Sequence, residues 1–95
     1  MSCEALVELL KKHYDRILCE KQDGQLLIVI LSEVPLILCI YSKVGHLYAK
    51  LLRLESASTM NCAEAIAEAR GLYLFAKNLS ELVVRVREKA KRFSF

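Results

Sequence analysis

The chain has 95 residues, of which 55% are hydrophobic and 26% charged, and its formal net charge is +3. This length suits one domain with a single core, and this hydrophobic content excludes an intrinsically disordered chain. The excess of positive charge lies entirely within residues 80–95, which contain five Lys or Arg and two Glu.

The first predicted element is an amphipathic helix over about residues 3–16. Ser2 is a suitable N-cap, and Glu4 lies in the first turn, where a negative charge interacts favourably with the helix dipole. Apolar and aromatic side chains recur at helical spacing and form one stripe: Leu6, Leu9, Leu10, His13, Tyr14 and Ile17. This stripe needs a sheet or another helix to cover it.

A β-hairpin is predicted next. The Asp23-Gly24 pair stands between two extended runs and is typical of a tight hairpin turn, which places strands at about 17–22 and 25–32. The second of these strands is apolar on both faces, as expected for a strand in the centre of a sheet.

A second apolar run, residues 36–41, predicts a third strand after a turn that contains Pro35. The whole stretch 26–41 is the one candidate for a membrane span. It covers only 16 positions and includes Glu33 and Pro35, so it is too short and too polar for a transmembrane helix.

Residues 46–54 fit either a strand or a helix. Leu47, Leu51 and Leu54 would share one face of a helix, but a hairpin with the preceding strand is the shortest connection. We therefore predict a strand here, and the helix stays as the alternative.

The last third of the chain is predicted as helix, strand and helix. Asn61 is a suitable N-cap for the first helix, and Gly71 fits its C′ position. Residues 72–75 are rich in aromatic and apolar side chains, which favours a strand, and Ser80 caps the last helix. A single long helix over 62–92 is the alternative.

The four cysteines are widely separated: Cys3, Cys19, Cys39 and Cys62. Zinc sites and thioredoxin-like motifs need short paired spacings, so we predict neither a metal nor another cofactor. The N-terminal segment has early acids and no uninterrupted apolar run, which argues against a signal peptide and for a cytoplasmic chain with reduced thiols. Scarce Gly, Pro, Asn and Gln resemble thermophile usage, however, and intracellular proteins of hyperthermophiles do form disulfides.

The sequence contains no signature of catalysis. Its three glycines are isolated, so no phosphate-binding loop is predicted. His13 lies on the apolar stripe of the first helix, where a hydrogen-bonded boundary histidine is the commoner outcome, and no local Cys–His signature is present. An enzyme is therefore the less favoured interpretation, and its site would be assembled at a dimer interface.

Together these elements predict a two-layer α+β domain over residues 1–95, with an antiparallel meander sheet of four to five strands and about three helices packed on it. Strands that are apolar on both faces must be covered on both sides. We therefore hypothesise a non-enzymatic interaction protein, either a homodimer or a small subunit of a larger assembly. The side chains expected at its apolar interface are Leu27, Val29, Leu36, Leu38, Ile40, Phe93 and Phe95.

The alternative hypothesis is an accessory protein that binds RNA or single-stranded DNA. Proteins that read RNA on a sheet stack bases on exposed aromatic side chains next to basic residues, and Tyr41 and Tyr48 lie on neighbouring strands of the predicted hairpin. The predicted binding residues lie on the 46–54 strand and on the basic C-terminal helix: Tyr48, Lys50, Arg85, Lys89 and Arg92. The solvated face of an amphipathic helix would explain the helical ones without any ligand.

Overall fold

The computed structural model describes residues 2–57 and 59–93. In this part of the chain, one antiparallel sheet contains five strands in chain order: β1 (Ile17–Gln22), β2 (Gln25–Ile30), β3 (Leu36–Lys43), β4 (His46–Arg53) and β5 (Leu72–Ala76). The α-helices that pack on it are α1 (Cys3–Leu10), α2 (Cys62–Ala67) and α3 (Leu79–Ala90). The predicted α+β fold with an antiparallel meander sheet is confirmed.

Two tight hairpins join β1 to β2 and β3 to β4. Asp23 and Gly24 both have positive φ, 45° and 80°, as a type I′ turn requires. Val44 and Gly45 repeat this geometry, with φ of 51° and 76°. Both turns match the twist of the strands that they join, so each hairpin keeps its register from the turn outward.

The two ambiguous segments are both strands. The segment predicted at 46–54 forms β4, which pairs with β3 on one side and with β5 on the other. Leu72–Ala76 forms the outer strand next to β4, so the alternative of one long helix over 62–92 is wrong. Among the described helices, none has the length and apolar character needed to cross a membrane.

Two helix boundaries differ from those predicted. α1 ends at Leu10, about six residues earlier than expected, because the chain turns there towards β1. α3 begins at Leu79 because Asn78, and not Ser80, is its N-cap. The Asn78 side chain accepts a hydrogen bond from the Glu81 backbone N–H at 2.9 Å.

α2 also ends before Gly71, so this glycine is not its C′ residue. The helix stops at Ala67, and Glu68 is extended, with φ of −63° and ψ of 133°. Gly71 has φ of +102° and approaches β4 so closely that a Cβ there would lie 2.8 Å from the Leu51 carbonyl oxygen. A glycine is needed at this point because the chain returns directly against the sheet.

The sheet has two faces, and helices of the same chain cover both. The face that packs against α1 and α3, here called the first face, holds the larger core cluster: Leu26, Ile28, Ile30, Leu36, Leu38, Ile40, Ala49, Leu51, Leu74 and Ala76. The opposite or second face holds a smaller cluster beneath α2: Leu27, Val29, Ile37, Cys39 and Leu52. α2 contributes the small side chains of Cys62 and Ala65 to this second cluster.

All four cysteines form disulfides, Cys3 with Cys19 and Cys39 with Cys62. The expectation of reduced thiols is therefore wrong. The fold brings α1 against β1 and α2 against β3, which leaves Cα separations of 5.8 and 5.5 Å, within the range that a disulfide needs.

Candidate functional site

The strand residues predicted at an interface lie in the core. Leu27 and Val29 are on the second face beneath α2, whereas Leu36, Leu38 and Ile40 are on the first face beneath α1 and α3. All five side chains are at most 5% exposed. A partner would therefore have to contact other side chains, and self-association stays a prediction.

The C-terminal aromatic residues are described only in part. Phe93 is half-buried against the core of the first face, and its carbonyl oxygen accepts a hydrogen bond from Arg53 Nη2 at 3.3 Å. Phe95 lies outside the described residues. Phe93 thus attaches the end of α3 to its own sheet.

The five residues predicted to bind nucleic acid do not form one surface. Tyr48 and Lys50 are on the second face of β4, whereas Arg85, Lys89 and Arg92 lie in or just after α3, which packs on the first face. Lys50 is fully buried, and Arg85 forms an ion pair within α3. Tyr48 lies beside two other aromatic rings of the sheet, those of Tyr41 and Phe75.

Lys50 connects the C-terminal end of α2 to the sheet. Its Nζ donates hydrogen bonds to the carbonyl oxygens of Ile66, at 3.4 Å, and Glu68. The same Nζ lies 4.2 Å from the centroid of the Tyr73 ring, and the Tyr73 hydroxyl also donates to the Ile66 carbonyl. Lysine near the last carbonyls of a helix satisfies them and interacts favourably with the helix dipole. This side chain is therefore occupied within the fold.

The Glu68 carboxylate is paired with Arg70, whose Nε lies 3.2 Å from it. Hydrogen bonds from the Arg70 side chain, and then from its backbone N–H, lower the pKa of Glu68 below its usual value. Because this carboxylate is paired with Arg70, the positive charge of Lys50 is compensated instead by carbonyl dipoles and an aromatic ring.

The N-terminal end of α2 is attached to β1 and β3. The Gln22 side chain accepts a hydrogen bond from the Cys62 backbone N–H at 3.0 Å and donates one to the Met60 carbonyl at 3.0 Å. The Cys39–Cys62 disulfide joins the same end to β3. Because α2 has only six residues, it covers the middle of the second face and leaves open the end of β3, β4 and β5 that lies next to the β3–β4 turn.

We call this open part the aromatic corner, defined by Tyr41, His46, Tyr48 and Phe75 on β3, β4 and β5. The Tyr41 and Tyr48 rings are stacked with centroids 5.5 Å apart, and the Phe75 ring meets Tyr48 edge-on at 5.3 Å. His46 lies 5.2 Å from Phe75. Such cross-strand aromatic pairs stabilise a sheet by about 0.2–1 kcal/mol each. Here they also form a continuous surface that the chain leaves partly exposed.

The surroundings of the aromatic corner are basic. Lys43 ends β3 and Lys77 directly follows β5, and both are exposed. β3, β4 and β5 contain no Asp or Glu. These three strands therefore contribute rings and cations to the surface, and no carboxylates of their own.

β5 is one of the two outer strands of the sheet. Its sequence, LYLFA, contains no charged residue, and Tyr73 and Phe75 are 62% and 43% exposed. β1, the other outer strand, carries the exposed charges of Glu20 and Lys21. Charged residues on an outer strand discourage pairing with another chain, so β5 is the less protected edge.

An open groove of about 470 Å³ lies between α1, α3 and the turn before β3. Its titratable side chains include His13, Tyr14, Glu33 and Arg87. Burial raises the pKa of Tyr14, and the charge of Arg87 partly offsets this effect. In the described structure no hydrogen bond or ion pair joins the titratable side chains of this groove. The groove therefore contains no pair that resembles a nucleophile and its base.

The described residues contain no cluster of three or more His, Cys, Asp or Glu that could hold a metal ion. Sequence analysis found Tyr41 and Tyr48 but missed the contributions of His46 and Phe75. These depend on the β4–β5 register, which no local turn signal specifies. Comparison of the chain with protein families, curated proteins and solved structures finds no match.

Proposed function

We propose that this protein is a non-enzymatic interaction protein that forms a two-fold homodimer through the free edge of β5, alone or as a subunit of a larger assembly. The observation that carries this proposal is an outer strand without a single charged residue. An unprotected edge offers a row of backbone N–H and C=O groups to another strand. A second copy of the same strand supplies the matching row.

The sequence of β5 supports a second copy as the partner because it is nearly a palindrome about Leu74. If two copies pair antiparallel at this residue, Tyr73 lies opposite the partner's Phe75, and Leu72 lies opposite the partner's Ala76. Aromatic side chains then meet on the second face and aliphatic side chains on the first, both of which are favourable cross-strand pairs. A two-fold interface requires this kind of self-complementarity.

The expected affinity is modest. One pair of short strands buries less area than a standard stable interface, so we expect dissociation in roughly the micromolar range. The dimer would contain one continuous sheet of ten strands, with β1 of each copy at its outer edges.

We also propose a cytoplasmic location in a thermophilic organism. The composition supports a thermophilic origin, and the two disulfides are compatible with the cytoplasm there because intracellular proteins of hyperthermophiles, unlike those of mesophiles, are disulfide-rich. Thiol alkylation immediately after cell lysis tests it. Recovery of the cytoplasmic protein with mainly free thiols would contradict the proposal.

Light scattering over about 5 to 500 µM protein tests the homodimer, because a micromolar equilibrium shifts by mass action across this range. The wild-type mass should rise from 10.8 kDa towards twice that value. Phe75→Lys places a charge on the β5 edge, and we expect this variant to remain monomeric throughout.

Leu18→Lys is the matched control, since Leu18 is an exposed apolar side chain on the opposite outer strand. This variant should dimerise as the wild type does. A wild-type protein that stays monomeric over the whole range overturns the proposal, and so do equal effects of the two lysines. Circular dichroism confirms that each variant is folded.

A further inference from the structure

The aromatic corner is fixed in place by the sheet and yet remains open. Tyr48 lies between the rings of Tyr41 and Phe75, with centroids 5.5 and 5.3 Å away. Phe75 is the ring of the corner that lies on the outer strand β5, and it is 43% exposed. Exposed aromatic rings on neighbouring strands of a sheet form a surface on which nucleic-acid bases stack.

The charges around the corner favour a polyanion. Lys43, on β3, and Lys77, after β5, both lie at the end of the corner next to the β3–β4 turn, and both side chains are exposed. Among the five described strands, β1 is the one whose sequence contains an acidic residue, Glu20, and it lies at the far edge of the sheet. An apolar protein partner would explain the exposed rings, but it would not explain the two lysines at one end of them.

The tyrosine hydroxyls of the corner are also free to bind a ligand. The hydroxyls of Tyr41 and Tyr48 have no hydrogen-bond partner within the described part of the chain. Tyr73, outside the corner, differs because its hydroxyl donates to the Ile66 carbonyl. The two free hydroxyls can donate to phosphate oxygens or to the polar edges of bases.

We propose that the aromatic corner binds single-stranded nucleic acid. Bases stack on the rings of Tyr48 and Phe75, and phosphates contact Lys43 and Lys77. This site lies on the opposite face of the sheet from the basic helix α3. It does not require self-association, although a dimer through β5 would hold two such corners on one continuous face.

Fluorescence anisotropy with labelled oligouridylate and oligothymidylate of about 12 nucleotides tests the proposal, since this length lies within common single-strand site sizes. We expect saturable binding, with a slope of log K against log salt of about −1.4 for two phosphate contacts. Tyr48→Leu keeps apolar bulk but removes the ring, and it should weaken binding roughly 5- to 150-fold, the effect of losing one stacked base. Tyr48→Phe keeps the ring and should bind more tightly than Tyr48→Leu.

Matched variants locate the site. Lys43→Gln should reduce the magnitude of the salt slope by about 0.7, whereas Lys12→Gln, at an exposed position just after α1, should not change it. Tyr14→Leu makes the tyrosine-to-leucine change on the first-face side of the molecule and should leave binding unaltered. Arg92→Gln should have no effect, because Arg92 follows α3.

Several results would overturn this inference. They are a wild-type protein that binds neither oligonucleotide, equal binding by the leucine and phenylalanine variants of Tyr48, or a larger loss with Arg92→Gln than with Lys43→Gln. Loss of the dimer with Tyr48→Leu, in a protein that binds no oligonucleotide, would assign the corner to the contact between copies. A monomeric protein that still binds the oligonucleotides would instead overturn the homodimer and leave this inference intact.

Discussion

At the scale of single residues, Gly71 sets how closely the chain after α2 approaches the sheet. A Cβ on this residue would lie 2.8 Å from the Leu51 carbonyl oxygen, 2.8 Å from Lys50 Cε and 2.9 Å from Leu52 Cβ. The Leu51 oxygen is a backbone atom of β4, and Leu52 Cβ is bonded directly to that backbone. Neither atom can move without disturbing the strand. The position that looked like a helix terminus in the sequence is thus a packing constraint.

We expect Gly71→Ala to lower the free energy of unfolding by about 2–4 kcal/mol, because positive φ and steric overlap both oppose a side chain there. Gly24→Ala is the matched control. Gly24 also has positive φ, +80°, but an added Cβ meets no atom within 4 Å, so the loss should be only about 1 kcal/mol. Urea unfolding followed by circular dichroism measures both. Equal losses would mean that the contact with β4 is unimportant.

Lys50 shows that the type of a side chain does not by itself reveal whether it lies on the surface or in the core. From the sequence it is a cation on a strand beside tyrosines, which is typical of a surface that contacts phosphate. In the structure it is fully buried because the carbonyls at the end of α2 come to lie above it. That contact joins residues 16 and 18 positions apart, and no pattern in β4 indicates it.

At the scale of elements, α2 depends on its attachments. Isolated helices shorter than about 12–15 residues are marginal in water, and α2 has six residues. Its N-terminal end is held by Gln22 and the Cys39–Cys62 disulfide, and its C-terminal end by Lys50. The second face stays covered only while these contacts hold the helix on the sheet.

We expect the double variant Cys39→Ala/Cys62→Ala to lower the free energy of unfolding by about 2–4 kcal/mol, the usual contribution of a disulfide. It should also increase amide hydrogen exchange within Cys62–Ala67, because the helix loses a covalent link to β3. Exchange measured on peptides by mass spectrometry checks this.

Cys3→Ala/Cys19→Ala is the comparison for this prediction. It should cost a similar free energy, but it should leave exchange in α2 unchanged, since that disulfide joins α1 to β1. α1 keeps the fully buried Leu6 and Leu10 on the first face. Unaltered protection of α2 in the first variant would show that hydrogen bonds alone hold it.

The elements that were predicted correctly are those specified by residues close together in the sequence. The turn at Asp23-Gly24 and the apolar runs on either side of Pro35 define three strands without reference to the rest of the chain. Helix ends were predicted less well. α2 stops at Ala67, where Lys50 bonds the last carbonyl oxygens, and a distant partner of this kind leaves no mark on helical periodicity.

At the scale of the whole molecule, the two apolar central strands are enclosed by the chain itself. α1 and α3 cover the first face, and the alanine-rich α2 brings small side chains close to the second. The sequence made α2 look weak as a covering element, because Ile66 is its one large side chain. Because the helices cover both faces, the strand residues predicted to contact a partner are core residues. The exposed rings lie near β5 instead.

The candidate surfaces were accordingly harder to predict than the fold. Apolar and aromatic content indicated that some surface would be shared, but its location depends on which corner α2 leaves open. It also depends on the pairing of β5 with β4 across the connection that contains α2. The sequence alone specifies the strands, whereas the surface depends on how two distant segments meet.

The meander order has a consequence for synthesis on the ribosome. β1 to β4 are neighbours in sequence and can pair as they emerge, whereas β5 emerges only after the segment that carries α2. Until then β4 is the outer strand of the nascent chain, and its backbone groups on that side are unpaired. A chain that stopped before Leu72 would present a different strand to its neighbours, so the proposed self-recognition through LYLFA would be restricted to copies whose translation has passed β5.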